Sequence, residues 1–122
     1  MRNFFFGKVI HGLGRGTELG FPTVNIELTD KALCIENGVY AATVNVSNRL
    51  LKGMLYAGTR PTLNLIEQTI EIHIFDFNEE LYNQQISFQI LHKIRDEIKF
   101  DTLEKLIEQL HQDRQTVYNL LD

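Results

Sequence analysis

Cysteine is almost missing from this 122-residue chain, with Cys34 its only copy, so an intrachain disulfide and a thiolate zinc cluster are both excluded. That usage fits a reducing cytoplasm. Long apolar runs are missing too. Phe4, Phe5 and Phe6 give way at once to Gly7 and Lys8, far short of a secretory leader or of the roughly 20 residues that span a membrane. There is no excess of positive charge: 12 Lys and Arg stand against 16 Asp and Glu, a formal net charge of −4, and the basic residues are scattered. Without a basic stripe nucleic acid is not expected as a partner, while a local cluster around a small anionic ligand stays open. His11, His73, His92 and His111 share no close ligand spacing, which speaks against a zinc or iron centre. The expectation is a cytoplasmic protein with no membrane partner.

What is present reads as an ordinary globular chain, 43% apolar and 23% charged. Its length allows one core and not comfortably two, so residues 1–122 are expected to form a single domain. Three segments alternate with period two: Val39 and Ala41 with Val44 and Val46 after Gly38; Ile70, Ile72 and Ile74; and Ile86, Phe88 and Ile90. These predict half-buried strands between Gly, Asn and Pro turns, and Phe4 to Phe6 read as a first strand. The tail changes period. Leu103, Leu106, Ile107, Leu110, Val117 and Leu121 recur at helical spacing, and Asp101 with Glu104 predicts a capping box that starts the helix near Asp101. Strands first and a helix last predict a mainly β fold, an antiparallel sheet or closed barrel with the helix outside, since parallel βαβ units need helices between strands. Asp113, Arg114 and the helix glutamates read as a solvated face.

Between the first strand and the next, Gly12, Gly14, Gly16 and Gly20 fall within nine residues, with Arg15 among them. Bare backbone N–H groups there could approach a phosphate closely; a tight hairpin would use glycine equally well. No Gly-Lys-Ser/Thr follows, so this is neither a Walker A loop nor a Rossmann fingerprint. Thr23 and Asn25 alternate around Val24 and share one side of an extended segment. Two neutral oxygen donors suit a magnesium ion whose other positions are filled by phosphate and water, or they satisfy turn backbone. In Ile70 to Phe75 the isoleucines take one face and leave Glu71, His73 and Phe75 on the other. Glu71 is either a solvated carboxylate or a base beside a metal; His73 reads as structural. Ile94 to Phe100 offers an arginine plane at Arg95 and a ring at Phe100, suited to a flat heteroaromatic ligand, or else a surface arginine and a phenylalanine that staples the helix entry.

The run Gly7-x-Val9-x-x-Gly12-x-Gly14-Arg15-Gly16, then Leu19-Gly20-Phe21-Pro22-Thr23-x-Asn25, resembles the signature of the riboflavin kinases, stand-alone or as the carboxy-terminal module of bacterial FAD synthetases. Glu71-x-His73 and Arg95 to Phe100 extend the likeness over roughly Gly7 to Asp113. The resemblance implies an antiparallel Greek-key-like barrel with an outer helix. It also implies transfer of the ATP γ-phosphoryl group to the ribityl 5′-hydroxyl of riboflavin, giving FMN and ADP with Mg2+. By the same resemblance Glu71 is the base, and Thr23 and Asn25 hold the metal and phosphates. Gly12, Gly14, Arg15, Gly16, Ile74, Asp76 and Tyr82 then fall on the ATP side, and Arg95, Ile98 and Phe100 on the flavin side. An adenylyltransferase domain would be the partner module in a longer parent chain. The sequence departs from the family where Thr17 and Glu18 replace a basic residue, Val24 an alanine, Leu63 a phenylalanine and Asn83 a glycine. The missing base keeps open a catalytically silent flavin- or nucleotide-binding module on the same barrel.

Overall fold

β-Branched and aromatic residues at alternating positions, broken by short polar turns, give six strands among the residues described by a computed structural model, which are 4–10, 20–29, 35–61, 63 and 66–121. They are β1 (Phe4–Ile10), β2 (Val24–Leu28), β3 (Gly38–Val46), β4 (Arg49–Pro61), β5 (Ile66–Ile74) and β6 (Gln85–Asp96), followed by helix α1 (Leu103–Leu121). The strands close into a barrel in the order β1-β2-β5-β4-β3-β6, and every pairing is antiparallel. Strands β3, β4 and β5 run as a meander, and β6 returns beside β3, which is the Greek-key arrangement. The mainly β barrel with an outer helix is therefore what the pattern and the resemblance implied.

The inward face carries Val9, Ile26, Val44, Leu55, Ile70, Ile72, Ile74, Ile86, Phe88 and Ile90 as one core. Strand β3 differs from the expectation of a half-buried strand. Val44 and Val46 face inward, whereas Val39 and Ala41 face outward and are equally buried, because α1 lies over them. Register shifts in the β3–β6 pairing fall between Val39 and Tyr40 and between Ala41 and Ala42, where β6 carries an extra residue each time. The β3–β4 hairpin closes through Ser47 and Asn48, both at positive φ (49° and 67°), between the paired Val46 and Arg49. That is the turn whose twist matches a right-handed ribbon.

Helix α1 packs Leu110 and Val117 with Phe21, Val39, Ala41, Met54 and Phe75 as a second core outside the barrel. Its start differs from the expected capping box. Thr102 caps it, with Oγ1 accepting from the Lys105 N–H at 3.2 Å, while Asp101 is paired with the Lys105 ammonium instead. Leu103, counted among the apolar stripe, is 59% exposed. In β1, Phe5 packs against the core while Phe4 and Phe6 face solvent. No helix among the described residues is long and apolar enough to cross a membrane.

Candidate active site

Residues directly opposite on neighbouring strands project to the same face of a sheet. One such row runs over the outer face of five strands: Asn25 on β2 pairs with Glu71 on β5, Glu71 with Tyr56 on β4, Tyr56 with Val39 on β3, and Val39 with Arg95 on β6. Strand spacing puts the Glu71 and Arg95 backbones about 14 Å apart along this row. The sequence gives no hint of the row, since its members lie from positions 25 to 95 and meet only through the register.

At one end of the row, Thr23 Oγ1 donates to Glu71 Oε1 at 3.4 Å, and Asn25 stands opposite Glu71. All three side chains are half-buried, reachable from solvent yet held on strand backbone or at its edge. The Thr23 hydroxyl and the Asn25 amide oxygen are hard oxygen donors, with the Glu71 carboxylate beside them. The adjacent nitrogen, on His73, is buried and turned to the Pro22 carbonyl. This donor set fits Mg2+, which takes few protein ligands when phosphates and water supply the rest. His73 is 4% exposed, matching the structural role expected of it, and burial pushes its pKa below the ordinary histidine value.

At the other end, the Arg95 guanidinium lies with Cζ 5.8 Å from the centre of the Phe100 ring, so the expected arginine and aromatic pair does meet. Its other contacts were not foreseen. Asp113, expected on a solvated face, is 1% exposed and receives Arg95 Nε and Nη2. Gln109 Nε2 adds a fourth bond to that carboxylate at 2.9 Å. Arg114, placed on the same solvated face, instead lies over the rings of Phe21 and Phe75, with Nε buried and unpartnered among the described residues. Both departures share a cause: positions 110, 113, 114 and 117 occupy the helix face that covers the sheet. A charged residue at the spacing of the apolar stripe was the available signal for Asp113.

Between the two ends, Tyr56 packs in the outer core, and its phenol is pushed well above the usual tyrosine range, first by burial and then by the charge of Asp113. The remaining candidates are not members of the row. Ile74 has its side chain in the barrel interior. Asp76 holds a left-handed backbone (φ 56°) and accepts from the Tyr118 hydroxyl at 3.2 Å. Tyr82 and Ile98 are exposed. Asn83 adopts φ 72°, a conformation that glycine and asparagine both tolerate, and its N–H donates to Val9 O. Gly12, Gly14, Arg15 and Gly16 lie outside the described residues, as do Thr17 and Glu18.

The structure is thus a Greek-key barrel that carries an oxygen-donor cluster at one end of a cross-strand row and an arginine and aromatic pair at the other, polar and aromatic groups of the kind that small-ligand sites use. Comparison with known proteins makes this specific. The family model for riboflavin kinase matches residues 2–121, and the chain belongs to that family. It is 42% identical over 112 residues to the bifunctional riboflavin kinase/FMN adenylyltransferase of Haemophilus influenzae, covering 91% of this chain and 36% of that protein. It is 39% identical over 108 residues to the RNA-binding riboflavin kinase RibR of Bacillus subtilis, covering 88% of this chain and 46% of that one. The chain thus spans less than half the length of these two relatives. The crystal structure of riboflavin kinase from Trypanosoma brucei superposes with a TM-score of 0.71 at 26% identity, over 97% of this chain and 78% of that one.

Proposed function

We propose that this chain phosphorylates riboflavin at the ribityl 5′-hydroxyl with ATP and Mg2+, releasing FMN and ADP. The observation that carries the reading is the row from Asn25 and Glu71 to Arg95, which sets a carboxylate beside two oxygen donors at one end and an arginine with Phe100 at the other. Membership of the riboflavin kinase family supports the same substrate pair.

In this reading Glu71 accepts the proton of the ribityl hydroxyl as its oxygen attacks the γ-phosphorus and the bond to the ADP oxygen breaks. Thr23 and Asn25 hold the divalent ion and the phosphates. A bound Mg2+ supplies charge neutralisation on the phosphate oxygens. Gly12, Gly14, Arg15 and Gly16 cradle the phosphates; the backbone of Ile74, with Asp76 and Tyr82, borders the adenosine; Arg95, Ile98 and Phe100 hold the flavin. Rate comes mainly from positioning and from fixed charge, with the base adding about 10²- to 10⁴-fold. Residues 1–122 act as one kinase domain, cytoplasmic in setting. In a longer parent chain an adenylyltransferase domain, as in the name of the Haemophilus relative, would use the FMN. Scattered basic residues in a chain of net charge −4 favour small-molecule partners over RNA.

The test is chromatographic detection of FMN after incubating the protein with riboflavin, ATP and Mg2+, omitting each in turn. FMN that needs all three is expected. A folded sample that binds riboflavin yet forms no FMN would sink the kinase reading in favour of a silent binding module.

A further inference from the structure

The antiparallel register that pairs Asn25 with Glu71 and Val24 with Ile72 would, if continued, set Thr23 opposite His73 and Pro22 opposite Ile74. It stops at Val24. Pro22 has no N–H to give to a ladder, and among the described residues the segment carrying Thr23 has no strand bonds past Val24. A side chain ties it to β5. His73 Nδ1 lies 2.8 Å from the Pro22 carbonyl oxygen. A carbonyl can only accept, so Nδ1 carries the proton and donates, which leaves Nε2 as the bare nitrogen; it is buried and has no partner among the described residues. The ring is fixed from the side as well. Phe21, 2% exposed, meets His73 edge to face at 5.4 Å and His111 of α1 at 5.0 Å. Arg114 Cζ lies 5.5 Å from the Phe21 ring centre.

We infer that His73 is a positioning residue, which by donating to Pro22 O sets the Thr23 hydroxyl against Glu71 and so aligns the nucleotide end of the site. The inference rests on the kinase reading above and adds to it a residue that touches neither substrate. Its geometric basis is a short circuit. His73 follows Glu71 by two residues on the same face of β5, Pro22 immediately precedes Thr23, and Thr23 Oγ1 reaches Glu71 Oε1 at 3.4 Å. Without the His73 donor, one side of that circuit opens, and the Pro22 carbonyl loses its partner at the point where the chain turns toward the ligand oxygens. The flavin end of the row, more than two strands away, has no part in the circuit.

Three substitutions separate positioning from bulk packing. His73→Phe keeps a ring and removes the donor. His73→Asn places an amide nitrogen where Nδ1 stood and removes the ring, and His73→Gln moves the amide to the Nε2 position. Mg-ADP affinity is read by calorimetry, riboflavin affinity by fluorescence quenching without nucleotide, and KM for ATP against kcat from FMN formation. His73→Phe and His73→Gln are expected to weaken Mg-ADP binding and raise KM for ATP by up to about tenfold, the scale of one hydrogen bond, with riboflavin affinity unchanged. His73→Asn is expected to stay close to the native values. Equal losses of nucleotide and flavin affinity, or a His73→Asn protein as impaired as His73→Phe, would overturn the inference. If the native protein binds Mg-ADP but forms no FMN, the kinase reading falls while the affinity series still decides the role of His73. If it binds no Mg-ADP, both fall together.

Discussion

Half-buried Arg95 and buried Asp113 form a bidentate ion pair, Nε 3.0 Å from both carboxylate oxygens and Nη2 2.8 Å from Oδ2. The pair joins the last strand to the middle of α1 and holds the guanidinium plane near the Phe100 ring. Nη1 is used once more, on the carbonyl of Asp96. An arginine already spent on these bonds offers a ligand a fixed plane and its two remaining N–H groups. Burying both charges costs desolvation, which the three contacts and the Gln109 bond offset; such pairs define geometry more than they add stability.

Removing Asp113 leaves the half-buried Arg95 guanidinium without its carboxylate and opens a gap in the buried helix face. Asp113→Ala is therefore expected to lower the unfolding free energy by about 3–5 kcal/mol, measured by urea denaturation. Asp113→Asn keeps the shape and two acceptor or donor sites, and is expected to cost less while weakening riboflavin binding more than nucleotide binding. If Asp113→Asn leaves riboflavin affinity untouched, the pair is a structural tie and Arg95 is not a flavin contact.

Glu71 is tested more directly. In the proposed chemistry Glu71→Gln retains the side chain's size and its place opposite Asn25 and Tyr56 but can no longer take a proton. FMN formation should fall by about 10²- to 10⁴-fold, the usual worth of general base catalysis, with riboflavin affinity preserved. Native turnover in that variant would remove Glu71 from the base role.

How far the sequence carried the argument depends on the range of the interaction. Period-two alternation found the strands around Ile72 and Phe88 because burial on one face leaves a local trace, and the helix appeared for the same reason. The proximity of Glu71 to Thr23 and Asn25 came from a likeness to a family rather than from spacing, since Glu71 lies 48 and 46 positions beyond them and the β2–β5 register brings them together. Asp113 and Arg114 were misread because a charge on a helix is usually solvated. Their burial depends on where α1 lands, between Arg95 on one side and Phe21 with Phe75 on the other. Tyr56 escaped notice because nothing local separates a tyrosine on a site row from one in a core.

The start of α1 yields a compact test of a local reading that the structure corrected. Thr102 Oγ1 accepts the Lys105 N–H, whereas the Asp101 carboxylate faces the exposed Lys105 ammonium. Thr102→Ala is expected to cost about 1 kcal/mol, within the 0.5–2 kcal/mol of lost N-caps, and Asp101→Ala only a few tenths. Thermal melts of the two variants compare them, and a larger loss for Asp101→Ala would restore Asp101 as the cap.

His73 makes stability depend on pH in a definite direction. Burial lowers its pKa first, Arg114 lowers it further, and the Pro22 bond and the charge of Asp76 oppose them, leaving the folded value below that of an unfolded histidine, about 6.5. Phe21, Phe75 and His111 complete the surroundings of this ring and its neighbours without adding a carboxylate. Between the two pKa values the unfolded chain binds the proton that the folded chain refuses. Stability therefore falls as pH drops through about 6.5, and the loss levels off once pH passes below the folded pKa. Glu79 and Asp96, whose pKa values are lowered by Arg49 and Lys93, act only further toward acid, where their ion pairs are lost by protonation. Thermal midpoints of the unliganded protein should thus decline from pH 7.5 to 5.5, and His73→Phe should flatten that decline while starting from its own midpoint at pH 7.5. An equal decline in both proteins would assign the pH response to other groups and mean that His73 titrates alike in the folded and unfolded chains.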